Sequence, residues 1–291
     1  MAFWYDGVLY DDTYAASDGD RLGISLLKGD IALKFGATVF TTMRVYNSDL
    51  DHPLTQWLAH CDRLNTSRLA FQWQQPDWTT VRAAAQRLTA TYPVLRITLF
   101  PDGREWITGR SLPVSLSQHH QQGIAAWIAP FDYARSLPTH KTGNYLACWL
   151  AKQQAEKYNA QAAILTSPHG DWLETTTGNL WGWARGQWWT PMGDRCLPGL
   201  MRQYLQHLLA RDGISINGSR WSPDIVAAFE AIAYSNCVAQ LVPIHTVRLR
   251  AKNHTNEKAH TTLEYNPHHA NLKALQARIS AVANCDAEAS R

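Results

Sequence analysis

Lys141 lies in THKTGNYLA (residues 139–147), after an apolar run punctuated by proline and at the start of a segment that reads as a helix. A lysine in such a place is either a solvated charge at a helix start or an amine aimed at a carbonyl. The second role requires a deprotonated amine, which desolvation or a nearby cation supplies. Other residues of chemical interest fall around it. His60-x-x-Arg63 stands in TQWLAHCDRLNTSRLAF, and Glu174 is followed by Asn179 in LETTTGNLW. Further on come Thr190-Pro191, LPGLMR (197–202) and SNCVAQLVPI (235–244). The pairs His119-His120 and His268-His269 suggest metal binding only at first sight. Adjacent histidines point apart on a strand or helix, and no carboxylate or cysteine spacing accompanies them, so no metal is expected.

The elements that must position these residues are legible in outline. FGATVFTTMRVY (35–46) alternates and is rich in β-branched residues, so a strand is expected. TQWLAHCDRLNTSRLAF (55–71) places Leu58, Cys61, Leu64 and Leu69 near helical spacing. WTTVRAAAQRLTATY reads as a second helix and VLRITLF as a strand. SLPVSLSQHHQQG (111–123) is polar and reads as a linker before the strand GIAAWIAPF. KTGNYLACWLAKQQAEKYNA reads as a helix with apolar positions Leu146, Leu150 and Ala151. Strands then surround a turn at Pro168-His169-Gly170, and MRQYLQHLLARDG is a helix closed by Gly213. AIAYSNC is a strand, and YNPHHANLKALQARIS suggests a last helix. The pattern is α+β, without internal repeat or nucleotide loop. The expected division is an N-terminal α/β domain at 1–112, a linker at 113–123, a second domain at 124–250 and a tail at 251–291.

Composition limits the function classes. With 291 residues, 45% of them hydrophobic, the chain can bury a large core in one or two domains. A net charge of +3 without a basic block argues against nucleic acid. MAFWYDGVLYDD has no basic n-region or long apolar stretch, so no signal peptide is expected. No apolar run reaches the roughly 18 residues of a membrane span. The five cysteines are scattered and form no CxxC pair, which suits free thiols in a reducing, cytoplasmic compartment.

Taken in order, these motifs resemble the fold-type IV pyridoxal-phosphate enzymes, the class IV aminotransferases. The family includes branched-chain and D-amino-acid aminotransferases and aminodeoxychorismate lyase. The resemblance runs from about residue 4 to about 248. It implies a small N-terminal and a larger C-terminal α/β domain, with pyridoxal 5'-phosphate as cofactor. It makes Lys141 the catalytic lysine that also holds the cofactor, and Glu174 the carboxylate that keeps the pyridine nitrogen protonated. Arg63 becomes the cation for the phosphate, with Gly199, Leu200 and Met201 offering amides at a helix start. Tyr145 stands where the family has a tyrosine near the 3-oxygen, although a packed aromatic is an equal reading. Asn179, Asn236 and Cys237 complete the implied cofactor set. Cys237 departs from the family, which usually has a threonine there; Ser235, Asn236 or backbone amides would have to compensate.

The resemblance also bears on the reaction. Family aminotransferases commonly have Phe/Tyr-Glu where this chain has Phe40-Thr41-Thr42; the lyases commonly read Phe-Thr-Thr. Asn236 in its loop likewise resembles the lyases. The implied reaction is conversion of 4-amino-4-deoxychorismate to 4-aminobenzoate and pyruvate, on the route to folate. The alternative is a branched-chain or D-amino-acid aminotransferase. The small-molecule substrate carries two carboxylates, so Arg96 and Arg104 are the expected basic partners, with Thr41 and Thr42 as hydrogen-bonding candidates. Strand filler is the plainer reading for at least one of the threonines. A homodimer is implied, with neither membrane nor nucleic acid as partner.

Overall fold

The computed structural model describes residues 2–10, 30–249 and 262–284. The chain divides into two compact units. One comprises Met1–Pro113, His140–Asn144 and Val282–Arg291; the other comprises Val114–Thr139 and Tyr145–Ala281.

The first unit rests on an antiparallel sheet of β1 (Phe3–Tyr5), β2 (Val8–Tyr10), β3 (Val39–Arg44), β4 (Val94–Leu99) and β5 (Glu105–Arg110). Their order is β2-β1-β5-β4-β3. Its helices are α1 (Ile31–Phe35), α2 (Trp57–Ala70) and α3 (Trp78–Thr89). The two-residue alternation of the strands turns Val39, Met43, Leu95, Ile97, Leu99 and Ile107 to one face. There they pack with Leu64 of α2 and Val81, Ala84, Ala85 and Leu88 of α3. Burying each Val, Leu, Ile or Met side chain here contributes about 1.5–3 kcal/mol. Phe40, Thr42 and Arg96 therefore point to the other face, where Thr42 and Arg96 are cross-strand partners.

The inward stripe of α2 differs from the expected one. Leu58 and Leu69 are 73% and 58% exposed, and the buried residues are Trp57, His60, Leu64 and Ser67. The spacing is helical as expected, but two of the inward places are polar.

The second unit begins with α4 (Leu116–Gln122) and β6 (Ile124–Ile128), followed by α5 (Leu146–Lys157). The segment expected as a linker is thus largely helical. Leu116 is buried and anchors the helix, and Gly123 closes it with φ 77°. Next come β7 (Ala162–Thr166), β8 (Trp172–Thr175), β9 (Asn179–Ala184), β10 (Gln187–Trp189) and α6 (Leu200–Arg211). The remaining elements are β11 (Ile216–Asn217), α7 (Pro223–Val226), β12 (Ala231–Asn236), β13 (Gln240–Arg248), β14 (Thr262–Glu264) and α8 (Ala270–Asn284). The sheet runs β11-β10-β9-β12-β13-β6-β7-β8, with β14 beside β13, and β8 pairs back onto β9. The closing pair is Glu174 and Asn179, two residues singled out for chemistry. The tail of the chain is described only in β14 and α8; 250–261 and 285–291 lie outside the described residues.

The segment around Lys141 corrects another expectation. The helix starts at Leu146, not at the lysine. Leu146 and Leu150 are 61% and 36% exposed, and α5 turns Cys148, Ala151 and Ala155 inward. Lys141 instead lies on a short extended stretch paired with β3, through a bridge between Val39 and Thr142.

Candidate active site

The lysine is positioned by backbone. The Phe40 amide donates to the Lys141 carbonyl at 2.8 Å, and the Gly143 amide donates to the Thr38 carbonyl at 2.6 Å. Gly143 has to be glycine: a Cβ there would run into the Thr38 hydroxyl and the Gly36 carbonyl. The neighbouring His140 reaches α2, with Nδ1 3.0 Å from the Ser67 hydroxyl and its ring against Phe71. Two cations meet the buried Phe40 ring. Lys141 Nζ is 4.6 Å and Arg96 Cζ 3.6 Å from its centroid. A π-face accepts cations while leaving their N–H groups directed elsewhere.

Behind β3 the inward polar residues of α2 form a second arrangement. Arg63 donates to the Thr41 hydroxyl, which also lies 2.5 Å from His60 Nδ1. Thr41 and His60 are fully buried. Burial, then the charges of Arg63 and Lys141, hold the His60 pKa well below its usual 6.5, so the ring is neutral. Thr41 was a candidate for substrate binding, but its hydroxyl is committed to this pair. Thr42 remains on the opposite face beside Arg96.

Arg104 is also placed differently from the expectation of a substrate contact. Its guanidinium donates to Asp30 at 2.9 Å, to Asp102 at 2.7 Å and to the Tyr5 hydroxyl. It is a structural hub, and its hydrogen bond in turn holds the buried Asp30 carboxyl below the usual range.

In the second unit the closure of β8 on β9 builds a carboxylate site. Glu174 is buried and accepts from Arg135 Nη1 at 3.3 Å, from the Leu197 amide at 3.2 Å and from Asn179 Nδ2 at 3.5 Å. Arg135 is itself 8% exposed in its side chain, so the ion pair is an interior one. Asn179 also donates to the Leu197 carbonyl at 2.9 Å. It therefore ties Glu174 to the turn before α6. The Thr190-Pro191 pair serves the same turn. Thr190 donates to the Leu180 carbonyl, and the Pro191 carbonyl accepts from the buried Arg202 of α6 at 2.7 Å.

Gly199 caps α6, and a Cβ at that position would collide with the Asn179 carboxamide. Leu200 and Met201 follow as the first helical residues, whose amides have no acceptor within the helix and carry its positive end. In the hairpin after β12, Asn236 Oδ1 accepts from the amides of Val238 and Ala239, at 2.9 and 2.7 Å. Its carbonyl oxygen is thus used in building the loop that presents Cys237. The neighbouring Ser235 hydroxyl accepts from the Trp181 indole at 2.9 Å. Tyr145 donates its hydroxyl to the Thr176 carbonyl.

Two of the thiols, Cys61 and Cys196, are poor nucleophiles. Burial, reinforced by Glu174, pushes Cys196 up to about 12, and burial, reinforced by Asp62, pushes Cys61 to about 12. Among the described residues no group of three or more His, Cys, Asp or Glu is placed to hold a metal. Nor is any described helix long and apolar enough to cross a membrane.

Sequence reasoning missed Arg135, and it gave His60 a place in a motif but no role. Arg135 has no local signal, because its partner lies far along the chain. His60 is betrayed only by its place on the inward stripe of α2. Phe40 was read as part of a strand motif rather than as a ring beneath two cations.

Comparison with known proteins is consistent across most of the chain. The family model described as amino-transferase class IV matches residues 38–247. A branched-chain-amino-acid aminotransferase from Pseudomonas aeruginosa is 25% identical over 241 residues, covering 74% of this chain and 77% of that protein. The PLP-bound form of a hypothetical aminotransferase from Mycobacterium tuberculosis superposes with a TM-score of 0.73 at 19% identity, covering 98% of this chain and 99% of the other. A 4-amino-4-deoxychorismate lyase from Pseudomonas aeruginosa superposes with a TM-score of 0.69 at 19% identity, covering 95% and 97%. Each unit holds groups of the kinds that pyridoxal 5'-phosphate calls for: the primary amine of Lys141 and the guanidinium of Arg63 in the first, the buried carboxylate of Glu174 and a helix start kept open by Gly199 in the second. From β3 of the first unit to β13 of the second, the chain belongs to the class IV aminotransferases, a family dependent on pyridoxal 5'-phosphate.

Proposed function

We propose that the chain is a 4-amino-4-deoxychorismate lyase, releasing pyruvate and 4-aminobenzoate. The observation that carries this reading is the outer face of β3 and β4. There Thr42 and Arg96 are paired, and Arg96 and Lys141 share the Phe40 ring. Such a face offers positive charge and a hydroxyl, suited to a substrate with two carboxylates. The carboxylate that family aminotransferases commonly carry on this strand is replaced by threonine.

When bound, the cofactor supplies an aldehyde that takes up the substrate amine and a ring that accepts electrons. In this reading Arg63 and the first amides of α6 hold its phosphate, and Glu174, oriented by Asn179 and Arg135, holds a proton on its ring nitrogen. Tyr145, Asn236 and Cys237 are assigned to its surroundings, the last through its backbone amide. Lys141 Nζ removes the proton from the amine-bearing carbon of the substrate. The bond between the neighbouring carbon and the enolpyruvyl oxygen then breaks, and the ring left behind becomes aromatic. Arg96 binds a carboxylate, with Thr42 beside it.

The aminotransferase reading is favoured by the Pseudomonas aeruginosa branched-chain relative. Product analysis separates the two. With aminodeoxychorismate and no added 2-oxo acid, 4-aminobenzoate and pyruvate are expected in equal amounts. Transfer of nitrogen from L-leucine or D-alanine to 2-oxoglutarate, with no 4-aminobenzoate from aminodeoxychorismate, would establish the aminotransferase instead.

The assembly we propose is a homodimer. It is supported by the outward stripe of α5, where Leu146 and Trp149 are 61% and 54% exposed, an arrangement that favours cover by a partner. Sedimentation at assay concentrations is expected to give twice the chain mass; a fully active monomer would refute the dimer.

A further inference from the structure

The network behind β3 suggests a role for His60 and Thr41. We propose that they are positioning residues for Arg63, presetting its guanidinium for the phosphate of the cofactor. The proposal rests on the reading of Arg63 as the phosphate's cation.

Arg63 can only donate, so the Thr41 oxygen accepts from it. With Nδ1 as acceptor, the Thr41 hydroxyl proton goes to His60, 2.5 Å away. The ring proton of that tautomer is on Nε2, a buried nitrogen with no hydrogen-bond partner among the described residues. Arg63 Nη2 also lies 3.4 Å from the same nitrogen, so Nδ1 draws both the hydroxyl and the guanidinium. A protonated ring would present N–H to a hydroxyl that had lost its acceptor. It would also add a positive charge beside Arg63 and Lys141, the two cations that act on it. The neutral form is the one that completes the network.

The position itself argues for a purpose beyond packing. His60 occupies a fully buried place on a helix stripe shared with Trp57 and Leu64, where an aliphatic residue would avoid burying a polar ring. Thr41 Oγ1 and His60 Nδ1 are neutral acceptors that orient Nη2 of the guanidinium. An arginine side chain loses much rotamer freedom when it binds, and one already oriented loses less.

The test compares two forms of the cofactor. Dissociation constants of the apoprotein are measured for pyridoxal 5'-phosphate and for pyridoxal, which lacks the phosphate. Thr41→Val keeps the shape and removes the hydroxyl; His60→Leu removes the acceptor. Each is expected to weaken binding of the phosphate form about five- to tenfold, the scale of one lost orienting hydrogen bond, and to leave pyridoxal unchanged. Thr41→Ser should restore the wild-type ratio, which a loss of packing alone would not allow. In an Arg63→Ala background, where the advantage of the phosphate form is already lost, Thr41→Val should add nothing. If Arg63→Ala abolishes that advantage while Thr41→Val leaves it intact, the positioning role is overturned. If Arg63→Ala leaves the advantage intact, the phosphate reading of Arg63 fails first and the proposal falls with it. Should His60→Leu not fold, the Thr41 variants decide the matter.

Discussion

Lys141→Ala is expected to leave a folded protein whose turnover falls by at least about a thousandfold, the scale of losing a proton-transferring group. The fold survives because the segment is held by backbone. The carbonyl of residue 141 would still accept from Phe40, and Thr142 would still bridge to Val39. Among what disappears from the folded state is the ammonium over the Phe40 ring, worth about 0.5–1 kcal/mol or somewhat more when desolvated. The thiols of Cys61 and Cys196 do not replace it, since burial holds them protonated at neutral pH with pKa values near 12. Borohydride treatment of the wild-type holoprotein should fix the cofactor on the peptide containing Lys141, read by mass spectrometry. The alanine variant should take up no label. Label on a peptide carrying Lys152 or Lys157 would overturn the assignment.

Glu174→Gln is expected to lower kcat on the order of a hundredfold or more, within the range for a group that controls a proton at the reacting system. Cofactor affinity should fall much less. The substitution keeps the shape but replaces one acceptor oxygen by a donor. Arg135, the Leu197 amide and Asn179 all point donors at that group, so at least one contact is lost whichever way the carboxamide turns. It also leaves the buried Arg135 without this counter-charge, a change that costs about 3–5 kcal/mol when an interior ion pair is broken. A lower melting temperature should therefore accompany the loss of kcat. The double variant Glu174→Gln/Arg135→Met separates the two effects: it should recover stability and not turnover. Full activity of Glu174→Gln would show that the carboxylate plays no part in the chemistry.

The residues with fixed chemical types were the legible ones. Lys141, Glu174 and Gly199 stand out because few other side chains, or none, do what those positions require. Their surroundings were less legible because they are assembled by non-local pairing. Lys141 reads as a helix start since Tyr145 and the residues after it are helical in pattern, but β3 captures the stretch before them. The inward stripe of α2 was read from Leu58, Cys61, Leu64 and Leu69; Leu64 is inside, but hydrophobicity alone gives no reason to turn His60 and Ser67 inward while Leu58 and Leu69 face out. Arg104 looked available in a polar loop. Its three partners Tyr5, Asp30 and Asp102 come from separate parts of the first unit, and only folding brings Tyr5 and Asp30 to it. Asn236 was chosen from a motif, and the hairpin that consumes its side-chain oxygen is visible only in three dimensions.

The pairing of Thr142 with Val39 also has a kinetic meaning. The two residues are roughly a hundred positions apart, and closing so long a loop is slow compared with forming α2 or α3 from their own neighbours. During refolding, helical signal should return before the amine is in place. Newly made chains thus pass through a stage in which the lysine exists but is not yet competent, and cofactor capture reports the end of folding rather than its beginning.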